Sequence, residues 1–304
     1  MYRYKRLMVG VSLNQQDGAS IRYAAMVSRL AESEKITFLH IASTPEVEAD
    51  VCELYPDLRQ SCDDSTTQEI ERLVKQHYDG HPDTRLKCEA VEGYPLVELL
   101  RRAKDEEIDL IIMRKRKGDK ISGNLSTKLA RKAPCSVLFV PEGTKSWYSN
   151  ILVPIDFSEN SKDALDVAIA FALAGDTKQI HCLNIYHVPT GYYKTGKSYE
   201  EFSEIMKGHA EERYQQFIKN INFKGVTPIP KFRLEDRPAK GIWEEVLEAR
   251  EVNLLIIGAK GRKAGAGVLL GSVAEHLIQT TKVPLLAVKK KGTGLGFLEA
   301  LLKL

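Results

Sequence analysis

The chain has 304 residues, of which 43% are hydrophobic and 28% are charged, and its formal net charge at pH 7 is +3. This length is too great for one small domain and suits two, and the small net charge argues against a strongly basic surface for nucleic acid or anionic membranes. No apolar run approaches the ~20 residues of a membrane-spanning helix, and the short apolar stretch after the basic N-terminus is too brief for a signal peptide.

The first half of the chain alternates short apolar strands with amphipathic helices. Strands are predicted at residues 6–12, 36–41, 86–91, 108–113 and 135–140. Helices are predicted between them, where one face is apolar, at residues 18–31, 66–78, 96–103 and 124–132. The polar residues 43–64 are expected to form an excursion outside the core. Such alternation predicts a parallel sheet with helices on both faces.

The same order of elements begins again near residue 151. Leu7-Met8-Val9 corresponds to Ile151-Leu152-Val153, and Asp109-Leu110-Ile111 corresponds to Asn253-Leu254-Leu255, both at an offset of 144 residues. The second set of strands is predicted at 151–156, 179–187, 229–234, 254–257 and 283–288. Its helices are predicted at 159–174, 199–221, 241–250 and from 272 onward, with a loop at 188–198.

One period of this repeat spans a whole domain, which indicates a tandem duplication rather than a solenoid of short repeats. We therefore predict a first domain at residues 1–144 and a second at 145–291. An apolar tail at 292–304 is expected to form a short helix that docks on this chain or on a partner.

A glycine-rich loop follows the fourth strand of the second copy. Its spacing is G-x2-G-x9-G-S, formed by Gly258, Gly261, Gly271 and Ser272. Glycines at the end of a buried strand let a ligand approach the backbone, and the first amides of a helix attract anions. Together they predict a phosphate site. The alternative is a loop that needs glycine only for positive φ angles.

The order of elements and this loop resemble the universal stress protein family, whose tandem members carry two copies in one chain. The resemblance covers residues 4–290. It implies two tandem, doubly wound, five-stranded parallel sheets of the Rossmann-like, adenine nucleotide alpha hydrolase-like class. The two halves would form an intramolecular pseudo-dimer through their last strands, 135–140 and 283–288. A homodimer of the whole chain is left open.

The resemblance also implies that the second copy binds an adenine nucleotide, with ATP as the ligand and Mg²⁺ as an optional companion. In this interpretation Asp156 contacts the ribose, and Ile185 lies beside the adenine through its backbone. The full set of binding residues implied is Pro154, Ile155, Asp156, Ile185, Gly258, Gly261, Gly271, Ser272 and Val273. Asp156 is also compatible with a role in capping the next helix. The nearby basic residues Lys260, Arg262 and Lys263 would either screen phosphate charge or simply be exposed.

The first copy departs from the family pattern. Ser12 stands where Asp156 stands in the second copy, and Arg114 and Lys117 replace the first two glycines. A side chain as long as arginine would fill the space that a phosphate needs, so we predict that the first copy binds no nucleotide in the family's way. The four basic residues 114–117 are expected to be solvated on a loop, with an anion site as the alternative.

No catalytic motif emerges from the sequence, since it contains no P-loop, no H-E-x-x-H and no G-x-S-x-G. The five cysteines include no C-x-x-C pair and are expected to be reduced thiols in the cytoplasm. The leading hypothesis is an ATP-binding regulatory protein of the stress response, with an unidentified protein partner. One alternative is a slow ATPase or self-phosphorylating enzyme with Ser272 as acceptor. The other is an interaction scaffold that works without nucleotide.

Overall fold

The computed structural model describes residues 3–43, 64–115, 124–144, 149–248, 252–262, 269–290 and 292. The chain divides into two compact units, one made of Met1–Ser146 with Lys290–Leu304 and the other of Trp147–Lys289. Each unit is a five-stranded parallel sheet with helical crossovers, which confirms the predicted tandem α/β architecture.

The first unit is built around a central buried strand. Its strands are β1 Arg6–Val11, β2 Lys35–Ser43, β3 Arg85–Gly93, β4 Leu110–Lys115 and β5 Ser136–Pro141, in the spatial order β3-β2-β1-β4-β5. Its helices are α1 Gly18–Ala31, α2 Asp64–His77, α3 Pro95–Asp105 and α4 Asn124–Lys132. The chain moves outward from β1 to β3 and then returns to the other side of β1, so the strand order reverses between β1 and β4. In open parallel sheets such a reversal leaves a crevice at the carboxyl ends of the strands.

The second unit repeats this topology. Its strands are β6 Ile151–Pro154, β7 Gln179–Tyr186, β8 Thr227–Leu234, β9 Leu254–Gly258 and β10 Leu285–Val288, in the order β10-β9-β6-β7-β8. Its helices are α5 Glu159–Ala174, α6 Tyr199–Ile218, α7 Pro238–Glu248 and α8 Ser272–Thr280. The apolar runs of β6 and β9 are fully buried because helices cover both faces of the sheet.

The strand register confirms the offset found in the sequence. Leu7 pairs with Leu110 in the first unit, and Ile151 pairs with Leu254 in the second, so both partners shift by 144 residues. The pairing of β1 with β2 and of β6 with β7 obeys the same offset. Residues 144 apart therefore occupy equivalent places in the two central strands and their neighbours.

Several element boundaries differ from the predictions. β8 begins at Thr227 instead of residue 229, although it contains Pro228 and Pro230, because its second edge carries no other strand of the unit and the missing amide donors cost little there. α7 begins at Pro238, a residue favoured in the first helical turn. The predicted loop at 188–198 contains a 3₁₀ turn at Tyr192–Thr195.

Three predictions fall outside the described residues. They concern most of the excursion at 43–64, the basic residues after Lys115, and the apolar tail. Within the described ranges, none of the helices combines the length and the apolar character that a membrane span requires.

Candidate functional site

The carboxylate of Asp156 lies just beyond the end of β6, at the reversal of strand order in the second unit. Its Oδ1 accepts hydrogen bonds from the Ser158 amide at 3.1 Å and from the Ser161 hydroxyl at 2.6 Å. Its Oδ2 accepts one from the Arg262 amide at 2.5 Å. Burial alone would raise the pKa of Asp156, but these hydrogen bonds outweigh it and lower the pKa. The side chain is therefore a firmly ionised anchor for the loop after β9.

The turn from β6 into α5 is shaped by this carboxylate. Ser158 is the N-cap of α5, and its hydroxyl accepts from the Ser161 amide at 3.2 Å. Phe157, between the carboxylate and the cap, has a φ of +67°, which a bulky residue adopts only when its surroundings impose it. The capping alternative for Asp156 is thus partly right, because Asp156 supports the cap while Ser158 provides it.

Glycine is favoured at each of the three loop positions for a different physical reason. A Cβ on Gly258 would lie 2.7 Å from the backbone oxygen of Asn160, so packing of α5 against β9 already requires glycine there. A Cβ on Gly261 would lie 3.0 Å from Oδ2 of Asp156. A Cβ on Gly271 would lie 3.4 Å from the Gly261 amide. The second and third glycines therefore keep side chains away from the space beside Asp156.

The loop returns to the sheet at the start of α8. The Gly271 amide donates to Ala259 O at 2.8 Å, which closes the loop after β9. Gly271 is the N-cap of α8 and provides no side-chain acceptor. The first helical bond runs from the Glu275 amide to Gly271 O, so the amides of Ser272 and Val273 have no partner inside the helix. Their dipoles favour an anion at this position.

The end of β7 offers a second set of free backbone groups. Leu183 O accepts from the Ile155 amide at 2.8 Å, so Leu183 faces β6. The backbone of a strand alternates its sides, so Ile185 also faces the β6 side. The pairing of β6 with β7 ends with Pro154 opposite Leu183. The hydrogen bond from the Ile155 amide to Leu183 O is the last backbone contact that follows it in the described residues. The amide and carbonyl of Ile185 thus face the crevice beyond β6.

The Universal stress protein family model matches this chain at residues 3–141 and again at 148–289. The chain belongs to the universal stress protein family. A curated universal stress protein of Methanocaldococcus jannaschii is 31% identical over 160 residues, which span 48% of this chain and 98% of that protein. The universal stress protein E homolog of Haemophilus influenzae is 22% identical over 310 residues, spanning 94% of this chain and 98% of that protein.

Solved structures agree on the fold. A universal stress protein of Archaeoglobus fulgidus superposes with a TM-score of 0.61 and 16% sequence identity, covering 95% of this chain and 97% of that one. This likeness supports the fold of a tandem universal stress protein and no more, since the sequence identity is low.

In this universal stress protein the first unit carries a different arrangement at the equivalent place. Arg114, at the position of Gly258, is buried with 4% of its side chain exposed. Its guanidinium lies 3.5 Å from the buried Asp17, 3.0 Å from Glu142 and 2.7 Å from the side-chain oxygen of Gln16. The expectation that Arg114 is solvated on a loop is therefore wrong, because it lies within β4 and pairs with carboxylates of its own unit. These carboxylates already neutralise the charge of Arg114, and the last two residues of the basic run at 114–117 lie outside the described ranges.

The acid and the serine have exchanged places between the two units. In the second unit Asp156 follows the strand and Ser161 lies in the first turn of α5. At the equivalent positions the first unit has Ser12 and Asp17, and Asp17 accepts from the Ser12 amide at 2.9 Å. The exchange is present in the sequence at the 144-residue offset, although the prediction for the first copy rests only on Ser12 in place of Asp156.

Most of the site residues proposed from the sequence lie at one edge of the second sheet. Pro154 ends β6, the buried Ile155 follows it, and Asp156 contacts the loop after β9. Sequence reasoning missed Ser158 and Ser161, which hold Asp156 through hydrogen bonds. In the described part of the chain, no group of three or more His, Cys, Asp or Glu side chains is placed to hold a metal ion.

Proposed function

We propose that the second unit of this universal stress protein binds ATP, and that the protein acts as a cytoplasmic regulator whose partners or conformation change with occupancy. The observation that supports this proposal is the convergence of a held carboxylate, two bare glycine positions and the open end of α8. The amides of Ser272 and Val273 would receive the phosphates, as helix N-termini do.

The crevice beyond β6 presents backbone groups that could hydrogen-bond with an adenine base. The amide and carbonyl of Ile185 form a donor and an acceptor side by side, which complements the ring nitrogen and exocyclic amine on one edge of adenine. The side chain of Ile185 is directed elsewhere, because its Cδ1 would be 3.0 Å from a Cβ on Gly241 in α7. Recognition at this position would therefore depend on the backbone, as the family resemblance implies.

Ribose binding would require a local exchange of hydrogen bonds. Asp156 already accepts three hydrogen bonds, and the Arg262 amide occupies Oδ2. A ribose hydroxyl would replace or share the Arg262 bond, which would couple occupancy to the conformation of the loop after β9. This coupling gives the proposed regulator a physical means of reporting its ligand.

A regulatory role fits the chemistry better than hydrolysis does. The lowered pKa of Asp156 makes its carboxylate a weak general base, and general bases work best with a pKa near the operating pH. Mg²⁺ would be held mainly by the phosphates and by water, which is how this ion commonly binds.

The first experiment is ligand-induced stabilisation, measured by thermal unfolding with ATP and Mg²⁺. Trp243 lies in α7 of the second unit, so its fluorescence reports on that unit. A ligand at a hundred times its dissociation constant stabilises its unit by about 2.7 kcal/mol. That corresponds to a rise in melting temperature of roughly 5–11 °C. Mass spectrometry of gently purified protein would identify a nucleotide that co-purifies.

Two glycine variants serve as a matched pair in this experiment. Gly261→Val places a branched side chain against Asp156 and is expected to abolish the ATP-induced rise. Gly208→Ala in α6 adds a methyl group where nothing lies within 4 Å, and it should retain the rise. A wild-type protein that shows no rise at millimolar ATP contradicts the proposal. An equal rise in Gly261→Val would place the ligand elsewhere.

A further inference from the structure

An arginine outside the glycine loop lies next to the site. Arg213 is on α6, and the neighbouring Tyr214 is 2% exposed and packs edge-on against Phe232 at 5.9 Å between ring centroids. Because Tyr214 faces the core, Arg213 is turned to one side of the helix by ~100°. There its guanidinium carbon lies 4.7 Å from the centre of the Phe157 ring, the residue directly after Asp156.

The aromatic ring of Phe157 provides a fixed platform for this arginine. Phe157 also packs edge-on against Phe217 of α6, with ring centroids 5.8 Å apart. The equivalent residue of the first unit is Leu13, which has the same left-handed backbone with a φ of +58°. The turn geometry is therefore common to both units, whereas an aromatic ring that can hold a guanidinium is found at this position only in the second.

Two positive charges meet at this edge of the site. Burial and repulsion from Arg262 lower the pKa of Arg213, while attraction to Asp156 opposes that change. In the described part of the chain, no ion pair within 4.0 Å joins a carboxylate to the guanidinium group of Arg213 or of Arg262. Asp156 is the nearby anion, and its oxygens are already occupied by an amide, a hydroxyl and a second amide. The local balance is thus two guanidinium groups against one carboxylate.

We propose that Arg213, together with Arg262, contacts the phosphate chain of the bound nucleotide and makes the second unit select nucleoside polyphosphates over nucleosides and cyclic mononucleotides. This inference rests on the proposed nucleotide site. A triphosphate carries several negative charges, which relieve the repulsion between the two guanidinium groups. A cyclic mononucleotide brings one charge and a nucleoside none. The planar guanidinium of Arg213 is suited to bidentate contact with phosphate oxygens.

The test is calorimetric titration of the full-length protein with ATP, ADP, cyclic AMP and adenosine. Arg213→Gln keeps most of the side-chain length and removes the charge. Because Arg213 is exposed, we expect the fold to tolerate this change. We expect ATP to bind at least tenfold more weakly, ADP to lose less, and adenosine to change less than twofold. Arg213→Lys should recover part of the loss for ATP. Lys219→Gln, an exposed charge removal at the end of the same helix, is the control and should change none of these affinities more than twofold.

The outcomes separate the two proposals. If wild type binds ATP and Arg213→Gln binds it equally well, the contact with Arg213 is wrong and the nucleotide site stands. If ATP and adenosine weaken by the same factor, Arg213 acts on the base or on the fold, and the selectivity proposal fails. If wild type binds none of the four ligands, inorganic tripolyphosphate is the remaining probe. Binding of tripolyphosphate to wild type that is lost in Arg213→Gln supports the phosphate contact alone. Failure of wild type to bind tripolyphosphate overturns both proposals.

Discussion

The ends of β4 and β9 are the same place in two copies of one fold, and they have opposite electrostatics. At the end of β4, Arg114 lies between the carboxylates of Asp17 and Glu142. At the end of β9 there is Gly258, and the carboxylate of Asp156 is held by amides and a hydroxyl. The first unit thus neutralises its carboxylates with its own cation. The second unit leaves cations and free amides at its edge.

This difference shows how a duplicated unit can change the charges at one edge of its sheet without changing its fold. The backbone that surrounds both positions is the same, since the registers of the central strands coincide at an offset of 144 residues. Even the left-handed turn after the first strand recurs at Leu13 and Phe157. What differs is which side chains neutralise the buried carboxylate, and four predictions test the comparison between equivalent positions of the two units.

The largest effect is expected from Arg114→Met in the first unit. Removing one partner of a buried ion pair leaves an uncompensated charge, which costs about 3–5 kcal/mol. Arg6→Met is the control, because Arg6 and Glu107 form an exposed pair and such pairs contribute under about 1 kcal/mol. Urea unfolding followed by far-ultraviolet circular dichroism measures the loss, while tryptophan fluorescence follows the second unit. A loss below about 1 kcal/mol for Arg114→Met would mean that the ion pairs do not support the fold.

The next effect is expected from Gly258→Ala at the matching position. The new methyl group would meet the backbone of Asn160, which cannot rotate away, so we expect a loss of about 1–3 kcal/mol. Gly208→Ala is the opposite case, because the added methyl group meets nothing and α6 should gain about 0.5–1 kcal/mol. Urea unfolding followed by tryptophan fluorescence compares the two variants. Equal stability of both would show that α5 and β9 are not as tightly packed as described.

Asp156→Asn gives an effect of similar size that depends on pH. Asparagine offers one acceptor oxygen, so the Arg262 amide or the Ser161 hydroxyl loses its partner, and a hydrogen bond to a charged group contributes about 1.5–3 kcal/mol. The folded pKa of Asp156 lies below its ordinary value of 3.8. Its stabilisation is therefore complete above that pH and is lost as the pH falls through the folded pKa.

The difference between wild type and Asp156→Asn should accordingly shrink below pH 3.8. Ser12→Asn is the matched control in the first unit and should stay within about 0.5 kcal/mol of wild type at every pH. Unfolding free energies measured from pH 7 down to the acid limit make the comparison. A constant difference across this range would contradict the role of the charge.

The smallest effect concerns the side chain that holds the end of the first strand. Asn184 donates to Ile155 O at 2.7 Å in the second unit, and His40 Nδ1 lies 2.9 Å from Val11 O in the first. His40→Asn should keep this hydrogen bond and change stability by less than about 0.5 kcal/mol, whereas His40→Leu should lose about 1 kcal/mol. Urea unfolding followed by circular dichroism distinguishes them. Equal losses in the two variants would mean that the His40 ring stabilises the unit by packing and that its hydrogen bond to Val11 O contributes little.

Much of this molecule could be predicted from local sequence. The apolar runs at β4, β6 and β9 predicted buried strands because parallel strands are covered on both faces. At the edge strand β8 the same logic found the strand but placed its start at residue 229 instead of Thr227, because Pro228 interrupts an edge that needs few amide donors. The place of the glycine loop after β9 was also predictable, because the spacing of its glycines and the start of the next helix are both local features of the sequence.

The sequence by itself determined the tandem α/β architecture, the membership in the family and the place of the glycine loop at the end of β9. These depend on patterns within about 20 residues and on a repeat that needs only comparison of the chain with itself. The tertiary structure alone decided that Arg114 is buried between carboxylates, that Gly258 serves packing, and that Arg213 lies over Phe157 beside Asp156. Each of these contacts joins residues far apart in the chain, and its energy depends on burial and distance, which the order of residues does not specify.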